Sequence, residues 1–349
     1  MKTFLLKLVI FSILVFAFCF ALSELQFSDD FLIEKTKETA YEKVGWNINM
    51  IQNHKDEIKN SRVYFGSSYV LNGVNDSILN SKGIKSVNLA IKHNGNDLSL
   101  YFLKRIIPLQ PKEVIFLKGK TAFRNLHKLA PLLYSPSNLI ADGQNFNLTF
   151  VSYLFKRTKL SLEYIYFTIN QKEKEVSIDK NKFGIRYEES FLSENDFYDK
   201  EKIKELQKEE ENFNLYRTNF LYKKEIAKPS FLNQIMAIKR EWTLKYYSQN
   251  DLVTNFKSQE HFIKKAKDIC ENNGVLFTQL YMPVVSDVVS DLSGEQTFYM
   301  PLESDAATIY YLKDYSFLND NTFWTDKHHL TKKGSISFTN EFINKNLSK

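Results

Sequence analysis

Short apolar runs alternate along most of the chain with stretches whose apolar residues recur at helical spacing. Four runs are typical of buried strands, because they are short, rich in β-branched or aromatic residues and bounded by turn residues. They are "RVYF" (62–65), "KSVNLAI" (85–91), "EVIFLKG" (113–119) and "GVLFTQLYMPV" (274–284). Helical spacing is clearest at 97–106, at about 256–272 and in the last twenty residues. Strands that alternate with helices predict a parallel, doubly wound α/β sheet.

The N-terminus carries the longest apolar run. Every residue but one is apolar from Leu8 to Leu22, and Lys2 and Lys7 precede this run. A basic flank followed by an apolar run is typical of an export signal. Both a cleaved signal peptide and an uncleaved signal anchor fit residues 1–24, and the poor cleavage-site pattern favours the anchor. We therefore expect a single-pass cell-membrane protein with an extracytoplasmic domain, the alternative being secretion after cleavage.

Three parts are predicted along the chain. Residues 1–24 are the signal segment, and the polar, mostly helical pattern of 25–60 is typical of a stalk that leads into a domain. Residues 61–349 form the α/β domain, with a mostly helical insertion at about 140–255. Within the insertion, 231–247 is aromatic-rich and amphipathic, which fits either core packing or a lid or partner-facing surface.

Composition narrows the expected partners. The chain of 349 residues has a net charge of +6, and its lysines are spread along the sequence rather than clustered. Nucleic-acid-binding surfaces concentrate Lys and Arg in patches, so nucleic acid is not an expected partner. Attraction to an anionic envelope polymer or a membrane surface fits the charge as well. Cys19 lies in the apolar run and Cys270 in a predicted helix, which gives no disulfide framework and no zinc motif. Neither a metal nor a cofactor is predicted.

The segment "FWTDKHHLTKKG" carries the clearest chemistry. Asp326 lies three residues before His329, so one turn can place its carboxylate on one ring nitrogen and leave the other nitrogen free to act as a base. His328 lacks this spacing and is expected to be a loop residue. A metal site built from these three side chains is an alternative, but no distant carboxylate cluster is available to complete it.

A nucleophile for this base is available near the other end of the chain. Ser67 and Ser68 directly follow the strand at 62–65, in the stretch "YFGSSY". Sites in parallel sheets lie at the carboxyl ends of the strands, so these serines and His329 can meet at one edge of the sheet. Ser68 is the predicted nucleophile; the alternative is that both serines only cap the following helix.

These two segments resemble the signature blocks of the SGNH/GDSL hydrolase superfamily. The first family block, Gly-Asp-Ser after the first strand, is similar to "FGSSY", with Ser68 at the nucleophile position and Ser67 in place of the Asp. The last block, Asp-x-x-His-Leu followed by a Gly, is similar to "DKHHLTKKG", with Asp326 and His329 in the Asp and His positions.

The two middle blocks of the family are matched more loosely. The glycine-bearing loop after the second strand resembles "NLAIKHNGND", with Gly95 as its glycine. The Gly-x-Asn-Asp block falls at "LKGKTAF", where Thr121 stands in place of the Asn. The resemblance implies an oxyanion hole formed by the backbone N–H groups of Ser68 and Gly95, with Asn94 or Thr121 as further donors.

The resemblance covers about 60–135 and 270–347, and it implies a three-layer, flavodoxin-like α/β fold with helices on both faces of a parallel sheet. It implies an extracytoplasmic serine acyl esterase or O-acyltransferase that acts on an envelope glycan or acylated polymer through an acyl-enzyme. With its N-terminal anchor, the chain looks like the membrane-anchored SGNH-like proteins of envelope O-acylation, such as the D-alanine transfer and alginate O-acetylation types. These imply a membrane-bound O-acyltransferase as partner. The alternative is a catalytically weak or inactive SGNH-like envelope protein that binds a glycan, an acyl carrier or such an acyltransferase.

Overall fold

A computed structural model describes ten stretches of the chain. They are residues 2–37, 39, 41–92, 96–118, 126–143, 148–170, 261–285, 287–288, 308–326 and 328–347. Most of the insertion predicted at about 140–255 lies outside these residues, including 231–247.

The described residues contain the following helices and strands, and residues 285 and 287–288 are also helical. The helices are α1 (Lys2–Ser23), α2 (Asp29–Thr36), α3 (Lys43–Asn53), α4 (Lys55–Ile58), α5 (Ser68–Gly73), α6 (Asp76–Ser81), α7 (Asn96–Ile106), α8 (Ala130–Leu133), α9 (Pro136–Ala141), α10 (Leu148–Asn170), α11 (261–272) and α12 (Lys332–Phe342). The strands are β1 (Arg62–Phe65), β2 (Ser86–Asn88), β3 (Glu113–Lys118), β4 (Leu276–Tyr281) and β5 (Thr308–Tyr310). Short 3₁₀ turns cover Ile107–Leu109, Ser316–Leu318 and Asn321–Phe323, and a π-helical turn covers Ile343–Leu347.

The five strands form one sheet in which every neighbouring pair is parallel. Their order is β2-β1-β3-β4-β5, the order of flavodoxin-like doubly wound sheets. The predicted parallel α/β sheet is therefore confirmed, and each of the four predicted runs contains a strand. Strand β5 was not predicted, since three residues at the edge of a sheet leave little periodicity to detect.

Strands β1, β3 and β4 bury apolar side chains on both faces, which explains why their runs are continuously apolar rather than alternating. Val63, Phe65, Val114, Phe116 and Phe277 point into one hydrophobic core, and Tyr64, Ile115, Leu117 and Leu280 point into another. The first core is completed by side chains of α2, α3, α7, α8, α10 and α11, and the second by those of α5, α6 and α12. Helices therefore cover the sheet on both sides.

The segment predicted as a stalk, 25–60, is part of this core in the structure. Phe31 and Leu32 of α2 and Val44 and Ile48 of α3 are almost completely buried in the first core. The polar composition of the segment comes from the outer faces of these helices, and its apolar residues lie on the inner faces. Helices α2 and α3 thus support the α/β unit directly.

Candidate active site

Ser68 lies at the point where the strand order reverses. The chain leaves β1 and forms β2 on one side of it and β3 on the other, and such a switch point opens a crevice at the carboxyl ends of the strands. Gly66 makes the turn out of β1 within a very small space. A Cβ there would lie 2.7 Å from Val70 Cγ2 and 2.8 Å from Leu117 Cβ, so a side chain does not fit without a shift.

Ser67 and Ser68 have different surroundings in this turn. Ser67 is the N-cap of α5, and its Oγ accepts a hydrogen bond from the Tyr69 N–H at 3.5 Å. The capping alternative therefore describes Ser67, which is almost completely buried. Ser68 is the first helical residue, and its Oγ lies 2.7 Å from His329 Nε2.

His329 and Asp326 lie in the loop before α12. The loop is closed by a bridge between Trp324 and Leu330 and by a hydrogen bond from the Thr325 N–H to the His329 carbonyl oxygen at 2.9 Å. His329 Nδ1 is 2.7 Å from Asp326 Oδ2 and 2.9 Å from Oδ1. The three-residue spacing thus places the carboxylate on one ring nitrogen while the other contacts Ser68.

The helix that follows also fixes this loop. Thr331 caps α12 by accepting a hydrogen bond from the Gly334 N–H at 3.2 Å. Gly334 packs against the backbone of Phe323, and a Cβ there would collide with the Phe323 carbonyl oxygen. The glycine in "DKHHLTKKG" therefore permits the close approach that sets the position of the His329 loop.

The protonation of this chain of contacts follows from the chemistry of its members. Burial opposes ionisation of Asp326, but hydrogen bonds and charge from His329 and the His328 N–H outweigh it and lower the pKa of Asp326. An ionised carboxylate only accepts hydrogen bonds, so His329 Nδ1 is the donor. In the neutral ring Nε2 is then the acceptor, and the Ser68 hydroxyl donates to it. This is the protonation state in which imidazole can take the serine proton.

The site is open to solvent. The side chain of His329 is 25% exposed and that of Asp326 is 53% exposed. Two backbone N–H groups, those of His328 and His329, donate to Asp326 Oδ1 at 2.8 Å each. His328 thus contributes its backbone to the carboxylate, in keeping with its expected place in the loop.

Tyr69 contacts the imidazole from the side and was not singled out by the sequence. Its ring is stacked on that of His329 with a centroid distance of 5.2 Å and an interplanar angle of 23°. The edge of the His328 ring faces the same tyrosine at 5.9 Å. Stacked rings of this kind restrict the orientation of the imidazole. Its position directly after Ser68 was the only available signal, and an aromatic residue there has no distinctive spacing.

The residues proposed to complete an oxyanion hole lie outside the described residues, namely Asn94, Gly95 and Thr121. The described residues that flank these two loops are linked. Asp97, at the start of α7, accepts a hydrogen bond from the His127 N–H at 2.7 Å through one carboxylate oxygen. Its other oxygen is buried without a hydrogen-bond partner. Burial outweighs the backbone hydrogen bonds and raises the pKa of Asp97 to about 6.

The alternative of a metal site receives no support from the described residues, where no group of three His, Cys, Asp or Glu side chains is arranged to hold an ion.

Of the predicted site residues, the structure brings together Ser68, His329 and Asp326. Comparisons with protein-family models, with curated proteins and with solved structures find no match. The functional argument therefore rests on the geometry of these residues.

Proposed function

We propose that this chain is an extracytoplasmic, SGNH-like serine acyl esterase or O-acyltransferase that acts on an envelope glycan or acylated polymer. One observation carries the proposal: an unbroken chain of contacts from Ser68 Oγ through both nitrogens of His329 to the Asp326 carboxylate. The residues come from the two ends of the chain, 261 positions apart, and meet at the crevice of a parallel sheet. Nucleophile, base and orienting carboxylate in this geometry support acyl transfer.

In the first half of the proposed reaction, Ser68 Oγ attacks the acyl carbonyl carbon while its proton moves to His329 Nε2. The carbonyl oxygen becomes an oxyanion, and Asp326 stabilises the imidazolium by accepting from Nδ1. When the tetrahedral intermediate collapses, the bond to the leaving alcohol breaks and that alcohol takes the proton from Nε2. The product is an ester between Ser68 and the acyl group.

In the second half, His329 takes a proton from water or from a sugar hydroxyl, and the resulting oxygen nucleophile attacks the acyl carbon. Collapse breaks the bond to Ser68 Oγ, which recovers its proton from Nε2. Water gives hydrolysis, and a sugar hydroxyl gives transfer. The exposure of the His329 ring leaves room for either acceptor to approach.

The oxyanion needs at least one preorganised donor. Ser68 is the first residue of α5, and the first N–H groups of a helix have no acceptor within the helix. We assign its backbone N–H as one donor, together with those expected from Gly95, Asn94 or Thr121. Loss of one such donor costs about 100- to 1,000-fold in rate.

Labelling of the full-length protein in detergent with a fluorescent fluorophosphonate tests the site directly. We expect labelling of the wild type and none of Ser68→Ala, while Ser67→Ala, its matched neighbour, keeps the label. Turnover of a p-nitrophenyl ester should fall on the order of 10⁴-fold or more in Ser68→Ala. Equal labelling of the wild type and Ser68→Ala, or an unlabelled wild type without esterase activity, would contradict the proposed mechanism.

We further propose that α1 remains attached as a membrane anchor. Its 21 residues Thr3–Ser23 form a helix that is long and apolar enough to cross a membrane. Its last turn is also part of the packed structure, since Ser23 is completely buried and Cys19 and Phe20 pack against the first core. Cleavage after Ala21 would remove the contacts of Cys19 and Phe20 with the first core and would require the helix to unwind.

Mass spectrometry of the protein purified from membranes tests this anchor. We expect the full N-terminus, allowing for loss of the initiating Met, and resistance of the protein to extraction by alkaline carbonate. A chain that begins near Leu22, recovered in the soluble fraction, would show that the segment is a signal peptide.

The partner implied by the resemblance, a membrane-bound O-acyltransferase, belongs to the same proposal. Such an enzyme would supply acyl groups on the membrane side, and Ser68 would pass them to a glycan hydroxyl. Product analysis with a labelled acyl donor separates the two chemistries, since transfer yields an acylated polymer and hydrolysis yields the free acid. Release of the free acid alone, in membranes that contain the acceptor polymer, would restrict the function to hydrolysis.

A further inference from the structure

Helix α10 lies beside the C-terminal half of α1. The Thr158 hydroxyl of α10 lies 3.2 Å from the carbonyl oxygen of Cys19 and 3.0 Å from the hydroxyl of Ser23. Arg157, which is almost completely buried, donates through Nε to the Ser23 carbonyl oxygen at 3.1 Å. Its guanidinium also contacts the Leu25 carbonyl oxygen. These contacts fix α10 at one level along α1.

The turns of α10 that precede Thr158 reach further along α1. An apolar groove runs between the two helices, lined by Phe11, Val15, Phe16 and Cys19 on α1 and by Val151 and Phe155 on α10. Phe155 is 62% exposed although its neighbour Leu154 is buried in the first core. Val151 and Phe155 therefore form the outer side of α10 next to the apolar helix.

The depth of this groove follows from the length of α1. The 21 residues of Thr3–Ser23 span about 31 Å, close to the thickness of a bilayer's hydrocarbon core. Phe16 lies about 10 Å along the helix axis from Ser23. If α1 spans the bilayer, side chains that face Phe16 lie within the hydrocarbon rather than in water.

The charged residues of α10 fit the same placement. Lys156 and Lys159 are exposed and follow directly after the groove residues, near the level of Cys19 and Ser23. Lysine side chains near the end of a membrane span extend towards the phosphate groups while their methylene chains stay in the apolar layer. No described residue before Lys156 in α10 is charged.

We infer that α10 is a second membrane-contacting element: its turn from Val151 to Phe155 is immersed in the phospholipid bilayer beside α1, and lipid acyl chains cover the groove between the two helices. This rests on the proposed retention of α1 as a membrane span. It assigns the exposed side of Phe155 to lipid rather than to another protein. Since α10 also packs into the first core, the α/β unit is held at a fixed height above the membrane.

Spin labels on the full-length protein in phospholipid nanodiscs test the inference. Cys19→Ala leaves only the buried Cys270, and single labels are then placed by Phe155→Cys, by Leu14→Cys on the exposed side of α1 and by Lys82→Cys on the exposed end of α6. For the labels at 155 and 14, we expect the rate of collision with oxygen to exceed the rate of collision with a polar nickel chelate severalfold. The label at 82 should show the opposite preference.

Each outcome distinguishes the two proposals. If the label at 14 is in lipid and that at 155 is accessible to the nickel chelate like that at 82, α1 spans the bilayer and the inference about α10 is wrong. The same inference fails if the label at 155 is shielded from both reagents, which would indicate a protein cover. If the label at 14 is itself accessible to the chelate, the anchor proposed for α1 fails as well.

Discussion

The two ends of the sheet carry similar polar contacts in very different surroundings. At the amino ends of the strands, the Arg62 guanidinium donates to Glu113 at 2.8 Å and the Thr278 hydroxyl donates to the same carboxylate at 2.6 Å. At the carboxyl ends, His329 donates to Asp326 at 2.7 Å. Glu113 is only 1% exposed, whereas the side chain of Asp326 is 53% exposed. Hydrogen-bond geometry alone does not separate the two clusters.

The difference in exposure indicates what each cluster can do. A buried carboxylate is held by its partners because leaving it unpaired in the interior is costly, so it contributes to stability and does not meet a ligand. A half-exposed pair gains little stability from the contact itself. Its position beside Ser68 at the switch point leaves it accessible from solvent instead. A functional site on this sheet is thus expected where a series of hydrogen-bonded side chains is exposed to solvent.

The largest contrast should come from the same change, carboxylate to amide, made at both ends of the sheet. Asp326→Asn should lower kcat by about 10³- to 10⁴-fold, because the amide no longer stabilises the imidazolium or fixes the Nδ1–H tautomer. The free energy of unfolding should change by less than about 1 kcal/mol, since the pair is exposed. Esterase kinetics and urea denaturation measure both quantities.

The low pKa of Asp326 adds a pH dependence to that prediction. A lowered pKa means that the folded protein holds the proton less tightly than the unfolded chain, so this carboxylate stabilises the fold at neutral pH and loses the effect as pH falls through its pKa. Activity that survives in Asp326→Asn, with unchanged kcat, would remove the carboxylate from the mechanism.

Glu113→Gln should have the opposite effect, a loss of stability with little change in turnover. Removing the charge leaves Arg62 without its partner in a mostly buried site, which should lower the free energy of unfolding by about 3 kcal/mol. Turnover per folded molecule should stay within about threefold of the wild type, since the amino ends of the strands lie away from Ser68. A large loss of kcat with unchanged stability would show that the two ends of the sheet are coupled.

Asp97 sharpens the comparison, because it is buried like Glu113 but lies at the carboxyl ends like Asp326. Its pKa of about 6 lies above the ordinary value, so the folded protein binds this proton more tightly than the unfolded chain. Its contribution to stability is therefore greatest below about pH 4 and is lost as pH rises through 6. Asp97→Asn should remove this dependence.

Thermal or urea unfolding of wild type and Asp97→Asn at pH 4.5 and pH 8 measures this effect. We expect the free energy of unfolding of Asp97→Asn, taken relative to the wild type, to be about 2 kcal/mol higher at pH 8 than at pH 4.5. Parallel stability curves for the two proteins would contradict the raised pKa.

The smallest effect is expected at Tyr69, which contacts the imidazole but has no part in the proposed proton transfer. Tyr69→Leu removes the stacked ring and should lower kcat by about threefold to tenfold with little change in KM, because the ring orientation matters for chemistry rather than for substrate binding. Tyr69→Phe keeps the stacked ring and should restore kcat. Equal losses in both variants would assign the role to the hydroxyl instead.

Much of the local structure could be predicted from the sequence. Strand β1 matches its predicted run residue for residue, β3 includes every described residue of its predicted run, and α7 contains the whole of the segment predicted at 97–106. These elements have strong, short-range periodicity that reports directly on burial. The contact between Asp326 and His329 could also be predicted from the sequence, since both residues belong to one turn.

Other features depended on partners that are remote in sequence. The segment predicted as a stalk, 25–60, lies in the core because its apolar faces pack against the sheet and α10. No local sequence pattern identifies these packing partners. The same is true of the link between Asp97 and His127, thirty residues apart, and of the contact between Thr158 and Cys19.

By itself, the sequence determined the parallel α/β class, the apolar N-terminal helix and the separate positions of the Gly66–Ser68 turn and the Asp326–His329 turn, because each depends on the order of residues within one or two turns. Only the tertiary structure decided the strand order, the distance of 2.7 Å between Ser68 and His329, and the stacking of Tyr69 on the imidazole. Those contacts form when helices pack on a sheet, and packing depends on shape and volume summed over many residues rather than on spacing along the chain.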